Sequence, residues 1–224
     1  MSAVKKILLI ESSGDHPFVA LTENENVLKE WYAEKNSGFA IHDAIQHLLK
    51  VCSMRMEDLD AVSVTEGPGS YTGLRVGMAT AKGICYAMKK PLITVSTLKV
   101  MAMSLRNNAS EIRADLICPM IDARRDEVFM AIYDSNMDEV LKPAPFILGS
   151  ESWKEQWNSK KVLFSGSGSK KIKETNNSFH FTDLAKNQLV RGMAEISLDA
   201  IHKNMTASVM WAEPAYLKPF FLNK

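Results

Sequence analysis

The sequence predicts an α/β protein of two duplicated lobes, each running β-β-β-α-β-α-β-α. Three observations carry this expectation. The same succession of short apolar runs and amphipathic stretches occurs twice. A glycine-rich turn follows the fourth strand of each half, Glu66-Gly67-Pro68-Gly69 and then Gly166-Ser167-Gly168. The 224 residues, 46% hydrophobic and 24% charged, suit a globular chain of one large domain or two lobes. The division is expected at residues 1–106 and 107–224, with roughly the last twenty residues packing back on the first lobe. Two such lobes face a cleft, the usual place for a ligand or partner.

In the first half, Lys5 to Glu11 is a Leu- and Ile-rich strand followed by the turn residues Ser12-Ser13-Gly14. Phe18 to Thr22 and Val27 to Ala33 are the next two strands. Ile41, Ala44, Ile45, Leu48, Leu49 and Cys52 fall at i, i+3, i+4, i+7, i+8 and i+11, one apolar face of a helix. Leu59 to Thr65 is a buried strand, Thr72 to Met88 a helix, and Leu92 to Val95 a strand. Thr97 to Leu105 is a helix capped by Ser96.

The second half repeats the order. Leu116 to Ile121 and Glu127 to Tyr133 form a hairpin around Ala123-Arg124-Arg125-Asp126. Val140 to Leu148 contains Pro143 and Pro145, which places it at an edge or makes it irregular. Ser150 to Trp157 is a short helix, Val162 to Ser165 a strand, and Ser169 to Lys173 a weak helix. Phe179 to Phe181 is a short strand, and Lys186 to His202 a long helix.

Composition narrows the function. With 27 Lys+Arg against 26 Asp+Glu the net charge is +1, too small for a field that holds a polyanion unaided. The three cysteines, Cys52, Cys85 and Cys118, are far apart and odd in number, as in buried thiols of a reducing compartment. Glu11 ends the apolar run Ile7 to Ile10 after four residues, short of a secretory h-region, and no stretch approaches a membrane span. A cytoplasmic protein is expected.

The strongest local feature is Glu66-Gly67-Pro68-Gly69-Ser70-Tyr71-Thr72-Gly73-Leu74-Arg75-Val76-Gly77. Gly67, Pro68 and Gly69 shape a tight loop, and Ser70 or Thr72 caps the helix that follows. No Gly-Lys-Ser/Thr follows, so it is not a Walker A loop. The helix carries two ridges of small residues four apart: Gly73, Gly77, Ala81 and Cys85, and Ala79, Gly83 and Ala87. Interior glycines cost roughly 1 kcal/mol each relative to alanine, so both ridges call for close packing. One ridge meets the sheet and the other faces outward, and a helix–helix interface with a second chain is the expectation. Its residues are Ile41, Ile45, Gly73, Leu74, Arg75, Gly77, Met78, Ala81 and Cys85. His42 and His47 are five apart, about 140° around a helix, and neither His-Glu-x-x-His nor Cys-x-x-Cys occurs. No metal site and no catalytic nucleophile is expected.

Several segments together resemble the TsaB (YeaZ) family. They are Ile7-Leu8-Leu9-Ile10-Glu11-Ser12-Ser13, His42 in the first helix, Asp58 to Val64, Gly67 to Gly77, Ala81-Lys82-Gly83 and Val95-Ser96-Thr97-Leu98. Ile121-Asp122-Ala123-Arg124 and Pro214-Ala215-Tyr216-Leu217-Lys218 continue the match. The likeness is dense through about residue 135 and returns at Ser165 to Ser169 and at the C-terminus. It implies an actin-like (Hsp70/hexokinase-type, ribonuclease H-like) fold and a part in making N6-threonylcarbamoyladenosine beside the anticodon of tRNA. It further implies a non-catalytic scaffold that docks on a TsaD-like catalytic subunit and supports recruitment of a TsaE-like ATPase. On this reading, contact with tRNA is expected mainly through the complex, and a homodimer is expected when the chain is alone. Relative to actin-like kinases the phosphate turns are degenerate at Glu11, Ser12 and Ser13 and at Asp122 and Arg124. No intrinsic cofactor is implied; a weakly held nucleotide in the cleft or at a subunit boundary stays open. The competing readings are a glycoprotease-type metallopeptidase and an autonomous actin-like ATPase or kinase.

Overall fold

The structure is a computed structural model that describes residues 4–14, 16–33, 40–148, 157, 159–172 and 179–218. Two five-stranded sheets share one topology. The first is ordered β3-β2-β1-β4-β5, from β1 (Lys6–Glu11), β2 (Phe18–Glu23), β3 (Asn26–Tyr32), β4 (Ala61–Gly67) and β5 (Leu92–Ser96). The second is ordered β10-β9-β6-β7-β8, from β6 (Leu116–Asp122), β7 (Glu127–Asp134), β8 (Glu139–Ile147), β9 (Val162–Ser165) and β10 (Phe179–Thr182). In both, the first three strands of the half form an antiparallel meander and the next two add in parallel. The duplication read from the sequence is thus a duplication of strand order. Among the described residues the helices are α1 (Ile41–Val51), α2 (Tyr71–Met88), α3 (Thr97–Glu111) and α4 (Lys186–His202).

Elements follow local chemistry closely. The apolar stripe of α1 buries Ile41, Ala44, Ile45, Leu48 and Leu49 against β2 and β3. Strands β1 and β4 are buried along nearly their whole length, as parallel strands covered on both faces must be. Strand β8 lies at an edge, with register shifts against β7, where Pro143 and Pro145 are tolerated. Helix α3 runs to Glu111 rather than Leu105, because Ala109 is still buried and the left-handed residue comes only at Arg113.

Two expectations are corrected. A 3-10 turn, Ser167–Lys171, stands where a helix was expected after β9. Gly166 is left-handed there, and Gly168 lies so close to Ile121, Met120 and Val128 that the chain is pressed flat on the sheet. The compact units also differ from the sequence halves. The first comprises Met1–Thr97 with Lys186–Ala215, the second Leu98–Ala185 with Tyr216–Lys224. The closing helix of each half therefore groups with the other half's sheet. In the first unit, α4 packs on β1, β3 and β5, and its Ser197 hydroxyl donates to Ser63 Oγ on β4 at 2.7 Å. In the second, Met101 of α3 abuts Gly166. The helix expected at Ser150 to Trp157 lies outside the described residues except at Trp157.

Candidate functional site

Strand β1 ends at Glu11, and its side chain turns back into the bend that follows. Glu11 is only 5% exposed. Its Oε1 accepts the Ser13 N–H at 2.6 Å and the Ser13 hydroxyl at 2.5 Å, and the Gly14 N–H points to the same carboxyl. Burial pushes the Glu11 pKa up, and the Ser13 hydrogen bonds pull it part of the way back. The Thr65 hydroxyl on β4 pulls in the same direction from outside hydrogen-bond geometry, and Glu11 Oε2 has no hydrogen-bond partner among the described residues. A carboxylate thus sits where the turn's amides would otherwise receive an external anion.

The duplication extends to this detail. Strand β6 ends at Asp122, whose Oδ1 accepts the Arg124 N–H at 2.7 Å, again from two residues on. Here the carboxyl is more exposed, and Lys171 beside it at 2.5 Å holds its pKa below the ordinary value. Lys171 Nζ also donates to the Arg125 and Glu127 carbonyl oxygens at 2.7 and 3.1 Å. Lys218 donates to the Ala123 carbonyl oxygen at 3.3 Å and pairs with Glu127. Arg124 and Arg125 both take left-handed backbone, at φ 70° and 49°, a conformation that costs a non-glycine residue roughly 1 kcal/mol. The two lysines hold that turn in place.

Because the Glu11 pKa is raised, the folded protein binds that proton more tightly than the unfolded chain. Its contribution to stability is therefore lost as pH rises from the ordinary carboxylate value through the raised one. Glu11→Gln keeps an oxygen to accept the Ser13 N–H and removes the charge. Its melting temperature, measured between pH 4 and 8, is expected to overtake the parent's as pH rises. Parallel curves for the two proteins would remove Glu11 as the source.

The glycine loop packs directly on this first bend. Gly67 is left-handed at φ 114°, the Ser70 hydroxyl caps α2 by accepting the Gly73 N–H at 3.3 Å, and the Ser70 N–H donates to the Ser13 carbonyl oxygen at 2.6 Å. Ser70 rather than Thr72 is the cap. A Cβ on Gly69 would come within 2.7 Å of the Ser13 Cβ, one on Gly73 would overlap the Ser12 carbonyl oxygen, and one on Gly77 the Ser12 hydroxyl. The ridge Gly73, Gly77, Ala81 and Cys85 is thus the inward one.

That geometry corrects the expected partner interface. Ile41, Ile45, Leu74, Gly77, Met78, Ala81 and Cys85 are buried in the chain's own core, and Gly73 is closed off by Ser12. Burial raises the Cys85 thiol to about 11, as suits a packing residue. Of the expected set only Arg75 is exposed, its guanidinium stacked 4.0 Å from the Tyr71 ring. The outward face of α2 carries Val76, Ala79, Gly83, Tyr86 and Ala87 beside the exposed Arg75, with Tyr86 81% exposed. Helix α1 turns His42, Asp43, Gln46, His47 and Lys50 outward.

The segment that follows α4 joins this face. After α4, the Ala207 N–H donates to the Leu92 carbonyl oxygen at 2.8 Å, and Val209 and Ala212 pack on the core. Lys82 of α2 donates to the carbonyl oxygens of Ala212 at 2.8 Å and Met210 at 3.3 Å, and the Ala215 N–H donates to Glu66 O. Pinned this way, the strap leaves Met210 and Trp211 72% and 77% exposed. Among the described residues no three His, Cys, Asp or Glu side chains stand together as metal ligands, and no helix is long and apolar enough to cross a membrane.

The family model for TsaD, tRNA N6-adenosine threonylcarbamoyltransferase, matches residues 32–217. The tRNA threonylcarbamoyladenosine biosynthesis protein TsaB of Bacillus subtilis (strain 168) is 32% identical over 166 residues, 71% of this chain and 70% of that protein. The chain belongs to the TsaB family. Escherichia coli (strain K12) TsaB is 36% identical over 110 residues, 44% of this chain and 46% of its own length. A Pseudomonas aeruginosa protein described as similar to peptidase YEAZ superposes with a TM-score of 0.76 at 21% identity, covering 96% of this chain and all of that one. The family's duplicated actin-like lobes are thus the fold seen here.

Proposed function

We propose that this chain is a non-catalytic subunit for forming N6-threonylcarbamoyladenosine on tRNA. It docks on a TsaD-type catalytic subunit, supports recruitment of a TsaE-type ATPase, and works in the cytoplasm. The observation that carries the non-catalytic reading is the pair of self-capped turns. Backbone amides that would cradle phosphates in an actin-like ATPase are occupied by Glu11 in one half and Asp122 in the other. These turns therefore do not fit a nucleotide's phosphates, and no step of the reaction is assigned to them.

Docking is assigned to the outward stripe of α2 with the strap beside it. Val76, Ala79, Gly83 and Ala87 let a partner helix approach closely, and Tyr86 and Trp211 are large aromatic anchors of the kind that dominate interfaces. The same stripe covers itself in a homodimer when the catalytic subunit is absent.

Reconstitution tests the reading. With purified TsaD- and TsaE-type partners, tRNA modification is expected to depend on this chain. The chain alone, given ATP and tRNA, is expected neither to hydrolyse the one nor to modify the other. Nucleotide turnover or tRNA modification by the chain alone would overturn it.

A further inference from the structure

We propose that the turn between β6 and β7 is this chain's own contact with the phosphodiester backbone of tRNA, made by Arg124 and Arg125. The inference rests on the proposed part in tRNA modification and adds a direct RNA contact to it.

A cluster of cations lies here. The whole chain carries only +1, yet five cations, Arg124, Arg125, Lys170, Lys171 and Lys218, lie on this turn and the segments packed against it. Three acids accompany them: Asp122 pairs with Lys171, Glu127 pairs with Lys218, and Asp126 is exposed. The lysines thereby pair with two of the turn's three acids, leaving Asp126 exposed, and both guanidinia are exposed without a carboxylate partner among the described residues. Burial holds Lys218 below its ordinary pKa, and the nearby Arg125 adds to the effect.

The turn is also preorganised. Its carbonyl oxygens at Ala123, Arg125 and Glu127 are taken up by Lys171 and Lys218, and its Arg124 N–H by Asp122. What remains for a ligand are two adjacent forks of N–H donors on a fixed backbone, the geometry that guanidinium groups use for phosphate oxygens. The same features that bar a nucleotide from the turn's amides thus leave its side chains facing outward.

The test is tRNA binding by fluorescence anisotropy between 50 and 300 mM salt, for the chain alone and for its complex with the catalytic subunit. Arg124→Gln/Arg125→Gln is compared with the parent, and Arg125→Gln alone serves as the milder variant. Losing two phosphate contacts is expected to weaken binding about tenfold and to flatten the slope of log affinity against log salt by about 1.4–1.8. Unchanged affinity and slope would overturn the proposal. So would a variant that keeps tRNA binding but loses ATP or inorganic tripolyphosphate, which gives the site to free phosphate, or loses only assembly, which gives it to a protein. Assembly measured separately by size-exclusion chromatography distinguishes failure of the subunit role from failure of the RNA contact, since the isolated chain still reports on the latter.

Discussion

Gly73→Ala is expected to destabilise the protein by about 2 kcal/mol and to lower its melting temperature by roughly 4–8 °C. Helix propensity alone predicts the opposite sign, since glycine to alanine in a helix interior gains roughly 1 kcal/mol. The structure decides against propensity because a Cβ at residue 73 meets the Ser12 carbonyl oxygen, with the Ser12 carbonyl carbon at 3.2 Å and the capping Ser70 Oγ at 3.3 Å. The bend cannot easily retreat. Ser13 is held to Glu11 by two hydrogen bonds and to Ser70 by a third. Gly83 is the internal control, lying on the same helix with nothing within 4 Å of its would-be Cβ. Gly83→Ala is expected to raise stability by up to about 1 kcal/mol. Denaturant titration of the two variants reads the difference, and a Gly73→Ala protein more stable than the parent would refute the packing. A bulky residue at Gly77 is a folding lesion for the same reason, and is unsuited to testing partner binding.

The opposite behaviour is expected on the outward side of α2. Tyr86→Asp combined with Trp211→Ala should weaken binding to the TsaD-type subunit by about 30-fold or more, the scale of two aromatic anchors. Folding stability should change by no more than about 0.5 kcal/mol per substitution, because both side chains face solvent. The strap survives loss of the Trp211 ring because it is held by backbone bonds to Leu92, Glu66 and Lys82 and by the buried side chains of Val209 and Ala212. Isothermal titration of the purified pair measures the affinity. Full affinity in the double variant would move the interface elsewhere on the molecule.

These two expectations mark where local pattern stops being informative. The α1 stripe could be read directly, because an apolar face at helical spacing has one low-energy destination, and Ile41, Ala44, Ile45, Leu48 and Leu49 all reached it. The paired prolines of β8 likewise exclude a central strand whatever lies around them. On α2 the pattern offered two ridges of small residues, and nothing in the spacing says which one the core will take. The Gly73 ridge, expected as a partner surface, is the one the core takes. Small residues signal close approach without naming what approaches, and here it is the chain's own Ser12.

The two turns show the same division at the level of chemistry. The absence of any glycine from Asp122-Ala123-Arg124-Arg125-Asp126 marked that turn as a poor phosphate cradle, a matter of side-chain bulk that a sequence displays, whereas the first turn keeps Gly14. That each strand-end acid folds back onto the amide two residues later, and that Lys171 and Lys218 close the second turn, depends on rotamers and on contacts 44 to 95 residues apart in the chain.

By itself the sequence determined the succession of the ten strands, most of the helices and the duplication, because these follow from hydrophobic period acting locally. Only the tertiary structure decided that the closing helix of each half joins the other half's unit, which ridge of α2 is buried, and that a strap near the C-terminus lies beside the exposed one. Those outcomes are set by which surfaces meet across long separations, and a single residue's chemistry is compatible with either answer until its neighbour in space is known.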